Sequence, residues 1–308
     1  MTFRNGSVKI FSLFGITVYV HWMWLLAAVY SLEYRTHEYS SFAWNVIEYL
    51  SLFAIVLTHE FGHQLACRSV GGKTHDIVLW LLGGVAYVSP PQRPGAQLWS
   101  IAAGPLVNVA LIPIISVLVS VSSHLGWYNT YPDAYEYLHN LWWINVVILV
   151  FNMMPVYPLD GGQILRSLLW FPFGRANSLM VASIIGFVGV IALVLLAFWA
   201  ESLWLGFIAV FILMNCWRGL RQAWALSRVV KAPRRQGYLC PSCHATPPMG
   251  DFWRCGKCKK QLDIFLSQAV CPHCGTQFRS VPCLDCGTPA TFEQWSSPSA
   301  EFEVRSAE

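Results

Sequence analysis

Long apolar stretches recur along this chain, and they restrict its fold more than any other feature. A helix that crosses a bilayer needs about 20 apolar residues. Stretches of about that length lie near residues 16–32, 43–67, 98–121, 140–157, 179–200 and 202–217. The chain is 55% hydrophobic and only 12% charged, which is too apolar for a soluble domain of this length. The sequence therefore predicts an α-helical, polytopic membrane protein with about six spans.

Lysine and arginine are unevenly distributed between the predicted loops. They are frequent before the first span, in the second and fourth loops and after the last span, whereas the first loop contains only Arg35 and the third and fifth contain none. Because cytoplasmic loops carry the excess of basic residues, this pattern predicts that both termini are cytoplasmic. No cleavable signal pattern is visible. We expect a multi-pass protein of a prokaryotic plasma membrane, whose net charge of +4 reflects its topology and not a nucleic-acid partner.

Composition divides the chain into four segments. We expect a membrane domain over residues 1–220, a basic linker over 221–237, a cysteine-rich domain over 238–290 and a disordered polar end over 291–308. Within the first segment, the apolar stretch 78–88 is too short to cross as a helix and contains two adjacent glycines. Irregular backbone at membrane depth must be buried in protein or line a cavity. This stretch is therefore predicted to be a short re-entrant β element on the cytoplasmic side.

The sequence HEFGH, residues 59–63, places ionisable groups inside the second predicted span. His59 and His63 are four residues apart, so they lie on one face of a helix and can share a metal ion. Glu60 has the position of the base that takes a proton from a water at such a metal. A chance match or a polar contact between helices is the alternative, but ionisable groups inside spans are costly and usually persist for function.

A catalytic zinc site normally takes three protein ligands, and the candidate for the third is Asp160. It follows two prolines and precedes Gly161 and Gly162, which would let the backbone come close to a metal or substrate. Asp160 is predicted to lie at the cytoplasmic end of its span, at the depth of the histidine pair. The alternative is a loop carboxylate that caps the next helix.

HEFGH, paired with NMMPVYPLDGG at residues 152–162, resembles the site-2 protease family of intramembrane zinc metalloproteases. The resemblance covers most of residues 10–217 and includes LGGVA at 82–86 and AGPLVN at 103–108. It implies zinc ligation by His59, His63 and Asp160, with Glu60 as general base. It also implies that Asn152 and the backbone of Gly83 and Gly84 bind an extended substrate.

This resemblance implies a zinc metalloendopeptidase that cleaves membrane-spanning substrates in regulated intramembrane proteolysis. The six-span layout resembles the compact branch of the family, whose members often carry a cytoplasmic regulatory domain after the last span. Two alternatives are an inactive membrane scaffold and a zinc-binding membrane protein such as a transporter.

Eight of the ten cysteines form four Cys-x-x-Cys pairs after residue 239. Two such pairs supply the four thiolates of a structural zinc site, and a cytoplasmic location favours zinc over disulfides. The segment resembles the double zinc-ribbon family, and we pair the motifs sequentially, with an interleaved arrangement or a redox-active pair as alternatives. The predicted sets are Cys240, Cys243, Cys255 and Cys258 for one ribbon, and Cys271, Cys274, Cys283 and Cys286 for the other. With the membrane site, the expected cofactors are one catalytic and two structural zinc ions.

The expected partners follow from this organisation. They are a membrane-spanning protein substrate, the lipid bilayer and a cytoplasmic regulatory protein that binds the ribbons. Lys257, Lys259 and Lys260 form a basic cluster that could contact nucleic acid, acidic lipid or an acidic protein. A solvated face of a protein-interaction module is the favoured interpretation, and nucleic acid is not expected.

Overall fold

Helices dominate the chain up to Lys231, and a small sheet precedes and interrupts them. The structure, a computed structural model, describes residues 6–34, 39–80 and 83–296. The first strands and helices are β1 (Ser7–Leu13), β2 (Ile16–His21), α1 (Trp22–Tyr34), α2 (Phe42–Ser69), β3 (Lys73–Trp80) and β4 (Gly83–Ser89). The helices that follow are α3 (Pro94–His124), α4 (Trp127–Thr130), α5 (Pro132–Met153), α6 (Asp160–Trp199) and α7 (Leu203–Lys231).

Three of these helices, α2, α3 and α6, are long and apolar enough to cross a membrane. They contain the predicted spans near 43–67, 98–121 and 179–200. Helices α1, α5 and α7 occupy much of the other three stretches, but α1 has only 13 residues. The mostly helical membrane fold is therefore confirmed, whereas the count of six spans remains a prediction.

The start of the first predicted span is not helical. Residues 16–21 form β2, because ITVYVH is rich in β-branched residues and has Ile16, Val18 and Val20 at alternate positions. Alternate side chains of a strand face the same side. Ile16, Val18 and Val20 point inward and pack with Ile77 and Leu79 of β3 in one buried cluster. The prediction of a span beginning at residue 16 was wrong at this end.

The β element predicted over 78–88 is an antiparallel hairpin of β3 and β4 within a larger sheet. Strand order is β1-β2-β3-β4, with β2 and β3 parallel and the other neighbours antiparallel. Val56 of α2 belongs to the buried cluster under the sheet, one helical turn before His59. This packing holds the sheet beside the HEFGH motif. Leu82 of the predicted LGGVA element and Arg35 of the first loop lie outside the described residues.

Two predicted connections are helical. The loop expected after the fourth span is the first half of α6, which is interrupted only at Gly174, where φ is 75° and ψ is 173°. Glycine adopts a positive φ without the strain that a Cβ causes. The linker expected over 221–237 is helical up to Lys231, because α7 continues to that residue.

The cysteine-rich end contains two small two-stranded sheets around one apolar core. Its elements are β5 (Trp253–Arg254), β6 (Gln261–Leu262), β7 (Val281–Pro282), β8 (Pro289–Ala290) and α8 (Phe292–Ser296). Trp295 of α8 is 1% exposed and packs in that core. The prediction of disorder from residue 291 was therefore wrong for 291–296, and residues 297–308 lie outside the described part. We call residues 238–296 the cysteine module.

Candidate active site and structural metal centres

His59, His63 and Asp160 meet where α2 faces the beginning of α6. Nε2 of His59 lies 3.0 Å from Oδ2 of Asp160 and 3.1 Å from Nε2 of His63, and the third separation, His63 Nε2 to Asp160 Oδ2, is 3.4 Å. Ligand atoms about 2.0–2.1 Å from one tetrahedral zinc ion lie about 3.3–3.4 Å apart. The two imidazoles and the carboxylate thus fit a single zinc ion in both spacing and chemistry.

The backbone before Asp160 is folded tightly enough to aim that carboxylate at α2. A Cβ on Gly161 would overlap the carbonyl group of Met153, and one on Gly162 would overlap the backbone of Val156 and Tyr157. The two glycines therefore permit close packing of α6 on its own preceding loop. Main chain fills the space on the Cβ side of both glycines, and the sequence-based expectation that they let the backbone come close to a metal or substrate stays a prediction.

His59 and His63 are each held by a hydrogen bond at Nδ1, the ring nitrogen that does not face Asp160. Nδ1 of His59 lies 2.5 Å from Oδ1 of Asn108, and Nδ1 of His63 lies 2.9 Å from the carbonyl oxygen of Ser100. A carbonyl oxygen can only accept, so each Nδ1 carries the proton and each Nε2 presents its lone pair to the metal position. Helix α3 thus orients the two candidate ligands that α2 supplies.

A second asparagine holds the first. Nδ2 of Asn108 donates to Oδ1 of Asn145 at 2.8 Å, and Nδ2 of Asn145 donates to the carbonyl oxygen of Asn108 at 3.0 Å. Both side chains are 0% exposed. Sequence reasoning assigned neither a role, although Asn108 lies in the AGPLVN segment. The signal was available, because an amide in the middle of an apolar helix needs a hydrogen-bonding partner inside the protein.

Small residues bring α3 against the histidine-bearing face of α2. A Cβ on Gly104 would overlap the imidazole of His63, and a Cβ on Gly62 would lie 2.7 Å from the carbonyl oxygen of Ala103. Close approach at small residues is a common way for helices to associate in membranes. Gly104 is therefore a packing requirement of the metal site.

Glu60 lies beside the histidines and opens on a small cavity. The carboxyl group is buried and lies against Gly84 of β4 so closely that a Cβ there would overlap it. The cavity has a volume of about 210 Å³, and its walls combine His59, Glu60 and Gly84 with Asn152 and apolar residues of α5. Three predicted site residues from three different elements, Glu60, Gly84 and Asn152, thus share one cavity. Gly83 lies next to it, paired with Trp80 in the hairpin.

Comparison with known proteins identifies the fold and the family. Residues 47–134 and 130–196 match peptidase family M50. This chain belongs to peptidase family M50. A solved structure, the site-2 protease from Methanocaldococcus jannaschii, superposes with a TM-score of 0.53 at 24% identity, over 70% of this chain and 95% of that one. That likeness establishes the site-2 protease fold.

Two relatives of known sequence extend the comparison. Zinc metalloprotease MJ0392 of Methanocaldococcus jannaschii is 32% identical over 182 residues, which are 59% of this chain and 51% of that protein. The protein sll0528 of Synechocystis sp. is 31% identical over 196 residues, which are 60% of this chain and 50% of its own length. This M50 chain therefore spans about half the length of either relative.

The cysteine module of this M50 protein contains two clusters of four thiols, and their composition differs from the prediction. One cluster is formed by Cys240, Cys243, Cys283 and Cys286, and the other by Cys255, Cys258, Cys271 and Cys274. The first motif thus pairs with the fourth and the second with the third. Sequential pairing was wrong, and the interleaved alternative was wrong as well.

Distances within the two clusters suit zinc. Sγ atoms of Cys240 and Cys286 are 3.7 Å apart, and those of Cys255 and Cys274 are 3.6 Å apart. Thiolates about 2.3 Å from a tetrahedral zinc ion lie about 3.8 Å apart. The nested arrangement has a physical reason, since cysteines of both clusters belong to one apolar core that includes Trp253 and Trp295. The module is a single unit in which one site encloses the other in sequence.

Two ion pairs join the segment that follows α7 to this module. Arg234 forms a bidentate pair with Asp285, with N–O distances of 2.8 and 3.1 Å, and this carboxylate raises the pKa of the guanidinium group. Arg235 donates to the buried carboxylate of Asp263 at 2.7 Å. On the membrane side, Nη1 of Arg175 lies 3.5 Å from the carbonyl oxygen of Asp285. These contacts hold the module against the end of the helical domain where α7 ends.

Proposed function

We propose that this protein is an intramembrane zinc metalloprotease that hydrolyses peptide bonds of membrane-spanning proteins. The observation that carries the proposal is the meeting of His59, His63 and Asp160 at zinc-ligand spacing, with Glu60 beside them, between helices apolar enough to cross a membrane. Membership of family M50 and the name of the relative MJ0392 support the same conclusion.

Each residue of the site has a distinct task in the proposed reaction. When bound, the zinc supplies a Lewis acid that polarises a peptide carbonyl and makes water acidic near neutral pH. Glu60 accepts the proton of the attacking water and passes it to the amine that leaves. Asn108 holds His59 in the tautomer that ligates metal, and the buried setting of Glu60 keeps bulk water from the reacting groups.

The substrate is proposed to bind as an extended strand. Strand β4 is at the end of the four-stranded sheet, and Gly84 of that strand touches Glu60. An extended segment that pairs with this edge would present its backbone to the site, and the side-chain amide of Asn152 lies in the same cavity to bind a carbonyl oxygen. A substrate helix must therefore unwind locally, since its carbonyls are otherwise hydrogen-bonded.

The number of spans, the side on which the termini lie and the number of zinc ions are proposed from the sequence pattern. The chain has six spans, with both termini on the cytoplasmic side of a prokaryotic plasma membrane, and it binds one catalytic and two structural zinc ions. The cysteine module regulates the protease or recruits substrates and partner proteins on the cytoplasmic side. Its ion pairs with Arg234 and Arg235, which follow α7, support this role, because they keep it beside the membrane domain.

The test of the activity is the substitution Glu60→Gln in the full-length protein. It should leave three zinc ions bound and lower cleavage by roughly 10²–10⁴-fold, because the amide cannot accept the proton. Membrane proteins that accumulate in a Glu60→Gln strain, compared with the parent strain, would identify substrates. Glu136→Gln is the matched control, since Glu136 is an exposed carboxylate of α5. Full cleavage by Glu60→Gln would overturn the proposal, and two zinc ions in well-folded parent protein would favour an inactive scaffold.

A further inference from the structure

A groove of about 640 Å³ lies where the end of α7 meets α6 and the cysteine module. One wall is a face of α7 that carries Trp224, Ser227, Arg228 and Lys231, at the spacing of successive helical turns. The other walls are Met180 of α6 and, from the module, Met249 and Phe252. The groove thus combines apolar and aromatic walls with two basic residues at one end.

The position of this groove relative to the bilayer follows from the length of α6. Met180 and Trp199 of α6 are 19 residues apart (199 − 180), or about 29 Å along a helix. The hydrocarbon layer of a bilayer is about 30 Å thick, and Trp199 is 85% exposed at the tip of the α6–α7 hairpin. With that tip at one boundary, Met180 lies at the other, on the side where the cysteine module sits.

The basic residues then lie at the level of lipid headgroups. Arg228 and Lys231 follow Trp224 by four and seven residues, or about 6 and 10 Å along α7. Each headgroup layer extends about 5–8 Å beyond the hydrocarbon. Long basic side chains can reach back toward such a layer while an adjacent tryptophan lies at its apolar edge.

The charge of the groove is not compensated by the protein. Arg228 and Lys231 are exposed and form no ion pair with any residue that the structure describes. No acidic side chain is found among the described residues that line the groove. Trp224 is 47% exposed and Met249 is 42% exposed, so apolar surface remains open beside the two cations.

We propose that this groove binds an anionic membrane phospholipid. Arg228 and Lys231 contact the phosphate, while Met180, Trp224 and Phe252 contact the glycerol and the first acyl carbons. One lipid would thereby join α6, α7 and the cysteine module and hold the module at the membrane surface. The inference rests on the proposed placement of α6 and α7 in the bilayer and is independent of the peptidase chemistry.

The experiment titrates phosphatidylglycerol into the purified full-length protein in detergent and counts retained lipids by native mass spectrometry, with phosphatidylcholine as the uncharged comparison. The parent protein should retain phosphatidylglycerol preferentially. Arg228→Gln/Lys231→Gln should weaken that binding by at least about tenfold, given the attraction of each basic residue to anionic lipid. Ser227→Glu, which leaves both basic residues in place and adds a negative charge to the groove, should also weaken it.

The matched control is Lys260→Gln/Arg279→Gln, which removes the same two charges from exposed positions of the module outside the groove lining. It should retain parental binding. Equal affinity of the groove variant and the control, equal retention of phosphatidylcholine, or displacement of the lipid by inorganic phosphate would each overturn the proposal. Glu60→Gln should bind the lipid normally, so failure of the lipid site and failure of the proposed protease are distinguishable.

Discussion

Nδ1 of His59 lies 2.5 Å from Oδ1 of Asn108, and this contact links the metal site to a helix that contributes no ligand of its own. Asn108 is in turn held by Asn145 of α5 through two hydrogen bonds. The orientation of His59 is therefore set by three helices that pack together. Removing either amide would leave buried hydrogen-bonding groups without a partner.

Asn108→Ala should weaken zinc binding at the membrane site by about 10–100-fold, because His59 loses the acceptor that fixes its tautomer and ring orientation. The measurement is the rate of zinc loss to a chelator, followed in the full-length protein. The cysteine clusters serve as an internal reference, since their zinc should leave as in the parent. Asn129→Ala, at an exposed position in α4, is the control, and an equal rate in both variants would contradict the positioning role.

Gly104→Ala should disrupt the membrane site by sterics alone. A Cβ at this position overlaps the imidazole of His63, so α3 must move away or the ligand must turn. Overpacking of this kind costs about 1–3 kcal/mol. We expect a lower midpoint of thermal unfolding and less than one zinc at the membrane site. Gly206→Ala in α7 is the control, because nothing lies within 4 Å of its added Cβ, and an intact site in Gly104→Ala would show that the helices are less tightly packed than described.

Gly84→Ala should separate zinc binding from cleavage. The new methyl group meets the Glu60 carboxyl, and none of the three atoms nearest to it belongs to His59, His63 or Asp160, so zinc content should stay at the parental value. The cleavage rate should fall by about tenfold or more, the loss expected when a catalytic group is displaced. The measurement pairs zinc analysis with cleavage of a substrate identified in the Glu60→Gln strain. Gly95→Ala has room for its methyl group and should behave as the parent. Unchanged cleavage by Gly84→Ala would argue against close contact of β4 with the base.

Nested pairing of the cysteine motifs makes an unusual prediction for zinc stoichiometry. Replacing the first and fourth motifs together, Cys240, Cys243, Cys283 and Cys286, by serine should remove one zinc ion from the module, because the inner cluster keeps all four thiols. Replacing the first and second motifs should remove both. Zinc per chain, measured by elemental analysis of the full-length protein, distinguishes the cases, and sequential pairing would reverse the two results.

Local sequence was sufficient for features that depend on short spacing. Four residues between His59 and His63 place both on one helical face, and a Cys-x-x-Cys motif brings two thiols to one point, whatever the rest of the chain does. Apolar length likewise predicts helices α2, α3 and α6. These conclusions hold because a helical turn and a knuckle are built within a few residues.

The tertiary structure decided everything that depends on which distant segments meet. Four Cys-x-x-Cys motifs are chemically equivalent, so only the fold of the shared core around Trp253 and Trp295 selects first with fourth and second with third. Strand β2 was mistaken for helix because ITVYVH is as apolar as a span, and β3, one of its two partners, lies more than 50 residues away. An amide inside an apolar helix indicates that Asn108 needs a partner within the protein. That this partner is His59 became visible only when α3 was packed against α2, since a hydrogen bond between helices leaves no spacing in the sequence.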